Sequence, residues 1–405
     1  MTQTVTVVGP QAALDPDEVV LVLDDRDWVG WSTVRITRGI ERIPNDFEFT
    51  LTELYPGEAE LLVVHAGSKC EIFIGRDLVL SGYVDRVMPR IGPRIHEVTI
   101  SGRGKCQDLV DCAAEWEGSV ITADTVLGVA SKLSSKFGIT VSGTPGPAVG
   151  NARISNIIPF VRFYLGETPW EIIDRLCRIA GLLPYELPDG NLWIAANPGD
   201  IPAGGNLRRG SAVYAAPDYI PGPADAPTSA VNAASGFSEG VNVKHASATY
   251  AADQRFSVYR VYRYSMQPQR DVTTGAVNQI TEYHDTAVRY RPMVIIAEMD
   301  KQFGVANASD RGAWEASRRY GRAHMVSLTT DSWRDAAGNL YAPNTLVPLE
   351  LPSLKASGKT WLIGQVTYRK SENGTECDLV IMPPEAFSVQ PTLPVNTLSP
   401  DLISQ

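Results

Sequence analysis

Two stretches near opposite ends of the chain follow one pattern, and that repeat restricts the fold more than any other feature. The first reads Leu78-Val79-Leu80-Ser81-Gly82-Tyr83-Val84, then Arg86, a Gly/Pro-rich turn and Glu97-Val98-Thr99-Ile100. The second reads Trp361-Leu362-Ile363-Gly364-Gln365-Val366, then Arg369, a turn at Asn373-Gly374 and Glu376-Cys377-Asp378-Leu379. Each is an apolar triplet, a glycine, a valine two residues on, a basic residue, a tight turn and a return strand. Any hairpin of a curved sheet shares part of this pattern. Here each copy also follows a strand and loop, Ser68 to Asp77 in one case and Leu346 to Gly358 in the other. A glycine inside a strand marks a bulge or corner where the strand bends to close a barrel. Gly82 and Gly364 are therefore expected at matching barrel corners. The fold class that follows is α+β and β-rich, with two similar barrel-like β domains plus small α+β modules.

The intervening chain fits that frame. Residues 1–105 alternate in period two between turn signals. Examples are Val19 to Leu23, Phe47 to Thr52, and Ile72-Phe73-Ile74 with Leu78-Val79-Leu80 flanking a three-residue connection Gly75-Arg76-Asp77. Residues 106–200 read as an α+β module of two helices and a hairpin. Its first helix is expected from Thr122 to Phe137, with Val126, Ala130, Leu133 and Phe137 on one face and Gly138 ending it. The second opens on Thr168-Pro169-Trp170-Glu171, where Thr168 can cap, Pro169 suits the first position and Glu171 can complete a capping box. Ile172, Ile173, Leu176 and Ile179 form its apolar face, and Gly181 closes it. Leu182 to Glu186 and Leu192 to Ile194 then flank the turn Pro188 to Asn191 as a hairpin.

Residues 201–300 open on a Pro/Gly/Ala-rich loop and are expected to begin the second β domain. Strand patterning marks Val241 to Val243 and Phe256 to Tyr264. Residues 301–325 are helical, with the helix starting near Ser309. Residues 326–387 hold the rest of the second β domain, with strands at Val326–Thr330, Leu346–Leu351, Trp361–Val366 and Cys377–Ile381. From Ala386 pattern is lost, and residues 388–405 form an extended arm. Its Pro391, Leu393, Pro394, Val395, Leu398, Pro400 and Leu402 are the candidate partner-binding residues.

Composition excludes several function classes. With 36 Lys+Arg against 46 Asp+Glu, the 405-residue chain carries a net charge of −10. Gripping a phosphate backbone relies on counterion release by basic residues, so DNA binding is not expected. Cys70, Cys106, Cys112, Cys177 and Cys377 are odd in number and widely spread, which reads as reduced thiols in a cytoplasmic folding compartment. The opening Met1 to Gln11 has neither a charged n-region nor an apolar h-region, and no apolar run reaches the roughly 18 residues of a membrane span.

Catalytic motifs find little support. Gly236-Phe237-Ser238-Glu239-Gly240 matches the G-x-S-x-G of a nucleophile elbow, in which a serine sits on a strained turn between strand and helix. Partners in the required order exist, Asp253 or Asp271 and then His284 or His324, so a serine hydrolase using Ser238 is the rival of a different class. Small polar residues before Ser238 and a strand-like Val241-Asn242-Val243 after it favour an ordinary turn. Gly102-Arg103-Gly104-Lys105-Cys106 lacks the spacer and the Ser/Thr of a phosphate loop, and reads as the turn leaving the first barrel. Cys106 and Cys112 have no second pair for zinc. No catalytic residue, metal or cofactor is expected. In Arg255-Phe256-Ser257-Val258-Tyr259-Arg260-Val261-Tyr262-Arg263-Tyr264, the largely apolar face carrying Phe256, Val258, Arg260, Tyr262 and Tyr264 is expected to enter a core. Its arginines would face solvent, a partner or an oligomer interface.

Three segments together resemble the baseplate hub proteins of Mu-type contractile phage tails. They are Thr33-Val34-Arg35-Ile36 followed by Ile40 to Leu51; Gly166 to Ile173 running into Asp189-Gly190-Asn191-Leu192; and Gly240-Val241-Asn242-Val243 leading into Arg255 to Tyr259. The similarity extends to about Phe387, while the Pro/Ala-rich stretch 215–235 departs from it. The resemblance implies a ring-shaped homotrimer, two barrel-like domains per chain giving six similar units. Its partners would be itself, the tail spike, the tail tube and other baseplate proteins. DNA would pass through without being specifically bound, and this chain would anchor in no membrane. The protein would belong to the virion tail after assembly in the host cytoplasm. The hub of a tailocin or a secretion-type injection machine is the alternative within this class. A carbohydrate-binding β module is a third, separate class, disfavoured because the aromatics lie along strands rather than in loops.

Overall fold

The computed structural model describes residues 15–23, 26–52, 64–93, 95–144, 158–202, 231–264, 277–298, 304–372 and 374–388. Its first seven strands are β1 (Val19–Leu23), β2 (Arg26–Trp28), β3 (Thr33–Gly39), β4 (Asp46–Thr52), β5 (Lys69–Ile74), β6 (Asp77–Gly92) and β7 (Ile95–Gly104). They lie in the order β2-β1-β5-β6-β7-β4-β3. Alternation decides which side chains turn inward. On β4, Phe47, Phe49 and Leu51 are buried, and the Trp31 ring packs 5.0 Å from that of Phe49. The β5–β6 connection is tighter than the three residues expected, because Ile74 pairs with Asp77 and leaves only Gly75-Arg76 in the turn.

The second unit holds α1 (Gln107–Asp111), β8 (Val120–Asp124), α2 (Val126–Ser134), β9 (Val141–Gly143), β10 (Ile158–Arg162), α3 (Pro169–Ala180), β11 (Leu183–Glu186) and β12 (Leu192–Ala195). Helix α2 starts later than Thr122, since residues 120–124 are taken by a strand pairing with β10 and Thr125 caps the helix through the Gly128 N–H. Helix α3 has the expected capping box, with the Glu171 N–H donating to Thr168 Oγ1 and the Thr168 N–H to Glu171 Oε2. Ile172, Ile173 and Leu176 are buried against α2 and β12, and Gly181 ends the helix at φ 68°.

The second β domain is assembled from segments far apart in sequence. Strands β13 (Phe237–Ser238) and β14 (His245–Tyr250) come first; Val241 to Val243 form a turn rather than a strand. Then β15 (Val258–Tyr264), β16 (Val277–His284) and β17 (Pro292–Glu298) form a separate three-stranded sheet covered by α4 (Gly304–Arg322). The assignment of residues 201–300 to the second β domain is thus corrected for this part. The more deeply buried residues of β15 are on the other face: Tyr259 and Val261 are enclosed with Ile295 because α4 lies on that side, while Val258 is also buried and Phe256 packs against the same cluster. Helix α4 begins five residues before Ser309. The domain resumes with β18 (His324–Thr330), β19 (Leu346–Leu351), β20 (Ala356–Ser371) and β21 (Gly374–Met382). Ala386 and Phe387, on a short 3-10 turn, are buried rather than part of an arm.

The two β domains share one strand order. The second runs β13-β19-β20-β21-β18-β14, and the first, without β2, runs β1-β5-β6-β7-β4-β3. The outermost pairings differ, β13 being parallel to β19 and β1 antiparallel to β5. The repeat is real, but its register is not the one the glycines suggest. Gly92 pairs with Ile95 as Ser371 pairs with Gly374, and Val84 with Gly102 as Ile363 with Ile381. Both comparisons give a shift of 279 (371 − 92 and 363 − 84). Gly82 thereby corresponds to Trp361, and Gly364 to Asp85.

Candidate assembly interface

The two β domains meet through their backbones. β3, at the edge of the first sheet, pairs antiparallel with the distal half of β20, from Gln365 opposite Gly39 to Lys370 opposite Val34. The result is one thirteen-stranded sheet over a continuous core. β20 serves two neighbours along one edge, with β19 on Leu362 and earlier residues and β3 from Gln365 onward. The changeover falls at Gly364, where the β20–β21 register shifts and the freed carbonyl accepts from the Ile40 N–H at 3.0 Å. On the buried face Ile36 and Tyr368 lie opposite each other, both fully enclosed. On the polar face Arg35 opposes Arg369, and acids separate them: Arg35 bonds Asp46 at 3.0 Å, while Arg369 reaches Glu376 at 2.9 Å and Asp378 at 2.7 Å.

Three further contacts fix the modules. Glu186 ends a strand of otherwise apolar character and is fully buried; it accepts from the Asn45 N–H at 2.8 Å and the Cys106 N–H at 2.9 Å. Burial pushes its carboxyl up to about 7, against the opposing pull of those two donors. Gly104 faces this carboxylate, and a Cβ there would overlap it. Gly102 to Gly104 end strand β7 rather than forming the expected turn, which is confined to Lys105-Cys106, and Gly104 makes room for a buried acid. Arg334 joins the domains, reaching Asp77 at 2.7 Å, Asp17 at 3.0 Å and the Pro16 carbonyl at 2.6 Å. Helix α4 holds the segment after β21: Trp314 Nε1 donates to the Ser388 carbonyl at 2.8 Å, and Arg322 stacks over Phe387. A charged residue inside an apolar strand was the readable sign of Glu186; nothing local marks Arg334 or β3.

The two expected corner glycines meet different neighbours. Gly82 lies in regular register between β5 and β7, where a Cβ would strike the Arg103 carbonyl; Gly364 sits on the bulge against the Phe387 ring. The arm residues Pro391, Leu393, Pro394, Val395, Leu398, Pro400 and Leu402 fall outside the described residues, as does most of 215–235. Ser238 ends a two-residue strand followed by a turn, not a helix, and its N–H donates to Asn242 Oδ1. His324 bonds the Tyr320 carbonyl at 2.6 Å and His284 approaches Glu282, so neither is directed at Ser238. Arg255 and Arg260 pair within the chain, with Asp285 and Glu282. In the cleft between α3 and α4, Arg178 pairs with Asp174 and Arg318 with Glu41. Among the described residues no group of three His, Cys, Asp or Glu could hold a metal, and no helix is long and apolar enough to cross a membrane.

The architecture is a repeated β domain fused edge to edge and joined to helical modules. A family model for the N-terminal domain of Mu phage baseplate assembly protein GpP-like proteins matches residues 18–104. A model for the second domain of gp44-like baseplate hub proteins matches 106–196, and one for the fourth domain of Mu phage baseplate assembly protein GpP matches 304–390. The baseplate hub protein gp44 of Escherichia phage Mu is 26% identical over 377 residues, covering 92% of this chain and 89% of that protein. In structure the chain is similar to the 43 kDa tail protein of prophage MuSo2 from Shewanella oneidensis, with TM-score 0.72, 24% identity and 92% and 99% coverage. It is also similar to a tail protein from Neisseria meningitidis, with TM-score 0.67, 17% identity and 93% and 99% coverage. The chain belongs to the Mu-like baseplate hub family, and its function is that of a structural hub in the phage tail baseplate.

Proposed function

We propose that three copies of the chain form a ring of six similar β domains, joining the tail tube to the central spike around an open axial channel. The observation that carries this reading is the β3–β20 junction: one chain supplies two equivalent domains already joined side by side. Three chains then match a three-fold spike below and a six-fold tube above. The net charge of −10 per chain suits a conduit. A trimer carries 3 × −10 = −30, and a wall poor in Lys and Arg lets DNA pass without holding its phosphates. A basic lumen would contradict this. The segment 389–405 docks on the spike or a neighbouring subunit, and the trimer assembles in the host cytoplasm.

The solution mass tests the reading. Three chains of 44.0 kDa give 132 kDa, and a stable monomer at micromolar concentration would overturn the ring. The hub acts without catalysis of its own. A fluorophosphonate probe is therefore expected to leave Ser238 unlabelled, and stoichiometric labelling would refute that.

A further inference from the structure

The internal junction leaves two matching edges open, one on each β domain. β6 pairs with β5 as far as Tyr83, and Val84 bonds Ser68 and Gly67. Beyond Asp85, among the described residues, its outer edge carries no strand, whereas the equivalent edge of β20 carries β3. β14 occupies in the second domain the place of β3 in the first. Among the described residues it pairs with β18 alone and ends the sheet. We propose that β14 of one copy adds to the distal half of β6 in the next copy, repeating between subunits the junction that β3 and β20 make within one. The inference rests on the ring reading for the number of copies; the edges and their register come from the fold.

The register follows from the repeat. β14 aligns with β3 through their pairings to β18 and β4, which sets His245 on Thr33 and Tyr250 on Arg38. Transposing the β3–β20 pairs then puts Val87 opposite Tyr250, Met88 opposite Thr249, Pro89 opposite Ala248, Arg90 opposite Ser247 and Ile91 opposite Ala246 of the neighbouring copy. Backbone alternation agrees independently. The Ala251 N–H donates to the Ala323 carbonyl, so Ala251, Thr249 and Ser247 face β18, leaving Ala246, Ala248 and Tyr250 facing outward. Val84 faces the β5 side, and past the bulge Val87, Pro89 and Ile91 face the open edge. These are the residues the transposed register brings together. Pro89 removes one donor and keeps its carbonyl, as an edge position tolerates.

Side chains fit the same pairing. Ile91 is 83% exposed, Met88 43% and Tyr250 48%. Across from Ile91 and Pro89 lie the small Ala246 and Ala248, half-buried against the shared core. At the internal junction the corresponding Ile36 and Tyr368 are fully enclosed. On the polar face Arg90 pairs with Glu97 as Arg369 does with Glu376, and the uncharged Ser247 stands opposite, where like charge would repel. The two edges are different surfaces, so the contact is head-to-tail, the kind that makes a ring when its rotation closes.

A disulfide across the edge tests it. Met88 and Thr249 fall at a non-hydrogen-bonded pair, where Cα atoms approach to about 4.5 Å. The full chain carrying Met88→Cys and Thr249→Cys is expected, on mild oxidation, to give a covalent trimer on a non-reducing denaturing gel. Either single variant, or Met88→Cys with Ser247→Cys two residues out of register, should stay uncrosslinked. A 132 kDa particle with no link in the designed pair, or equal linking in the shifted one, overturns the strand assignment and leaves the ring reading intact. A monomeric mass for the unsubstituted chain overturns both. Ala248→Pro gives a second arm, since it deletes an outward N–H that bonds nothing within β14–β18. Native far-UV dichroism with loss of the trimer supports the proposal, and a trimer that persists unchanged refutes it.

Discussion

Gly82 and Gly364 look alike in sequence and meet different neighbours. At Gly82 a Cβ would meet the Arg103 backbone, which cannot yield without parting β6 from β7. At Gly364 it would meet the far end of the Phe387 side chain, which can tilt. Gly82→Ala is expected to cost about 3 kcal/mol and Gly364→Ala about 1–2 kcal/mol, read from urea melts. Equal losses would contradict the two environments. Glu186 makes a pH-dependent prediction. Its carboxyl is raised from about 4.5 to about 7, so between those values the folded state keeps a proton that the unfolded chain has released. Stability from this group is therefore greatest below pH 4.5 and declines as pH rises toward 7. Glu186→Gln does not titrate, and its amide turns one N–H pair against each other. Its Tm should be lower throughout, with the gap to the unsubstituted protein narrowing from pH 5 to pH 7. A constant gap would refute the assignment.

At the scale of elements, the chain end illustrates where sequence reasoning stops. Loss of pattern after Ala386 suggests an arm, yet Ala386 and Phe387 are buried against α4, with Gly321 too close to Ala386 for any side chain. Cutting after Ser388 is expected to leave Tm unchanged and to weaken spike attachment. Cutting after Pro383 also removes Phe387 and should cost about 3–5 kcal/mol, as loss of a buried aromatic does. Thermal melts of both truncations decide it; equal Tm values would refute the docking. What local chemistry dictates was legible: the capping box at Thr168, the αL glycine at 181, the alternation of β4. What depends on a distant partner was not. Residues 122–124 look helical until β10 is there to pair with them. The inward face of β15 is chosen by α4, some fifty residues later. The repeat itself was legible in its return strands, whose shift of 279 is correct, but its glycines pointed three residues away because bulge and close approach call for the same residue.

For the whole molecule, the fusion of the two β domains has a consequence for how the chain opens. Their core is continuous, running from Val19 and Phe49 through Tyr368 to Ile381, and Arg334 clamps the second domain to Asp17 and Asp77 of the first. Separating the domains would expose Ile36 and Tyr368 and break the β3–β20 ladder, so neither opens without disturbing the other. Among the described residues, the β15–β17 sheet rests on a much smaller cluster, Tyr259, Val261 and Ile295, under one helix. Cooperative units open in order of the apolar surface that holds them. Native-state hydrogen exchange should accordingly show β15–β17 opening first, at a lower free energy than the rest. The amides of β4, β7, β18 and β21 should share a single, higher opening free energy across both domains. Two well-separated values for β4–β7 and β18–β21 would mean that the domains are independent bodies. The β3–β20 junction would then be too weak to serve as the pattern for a ring.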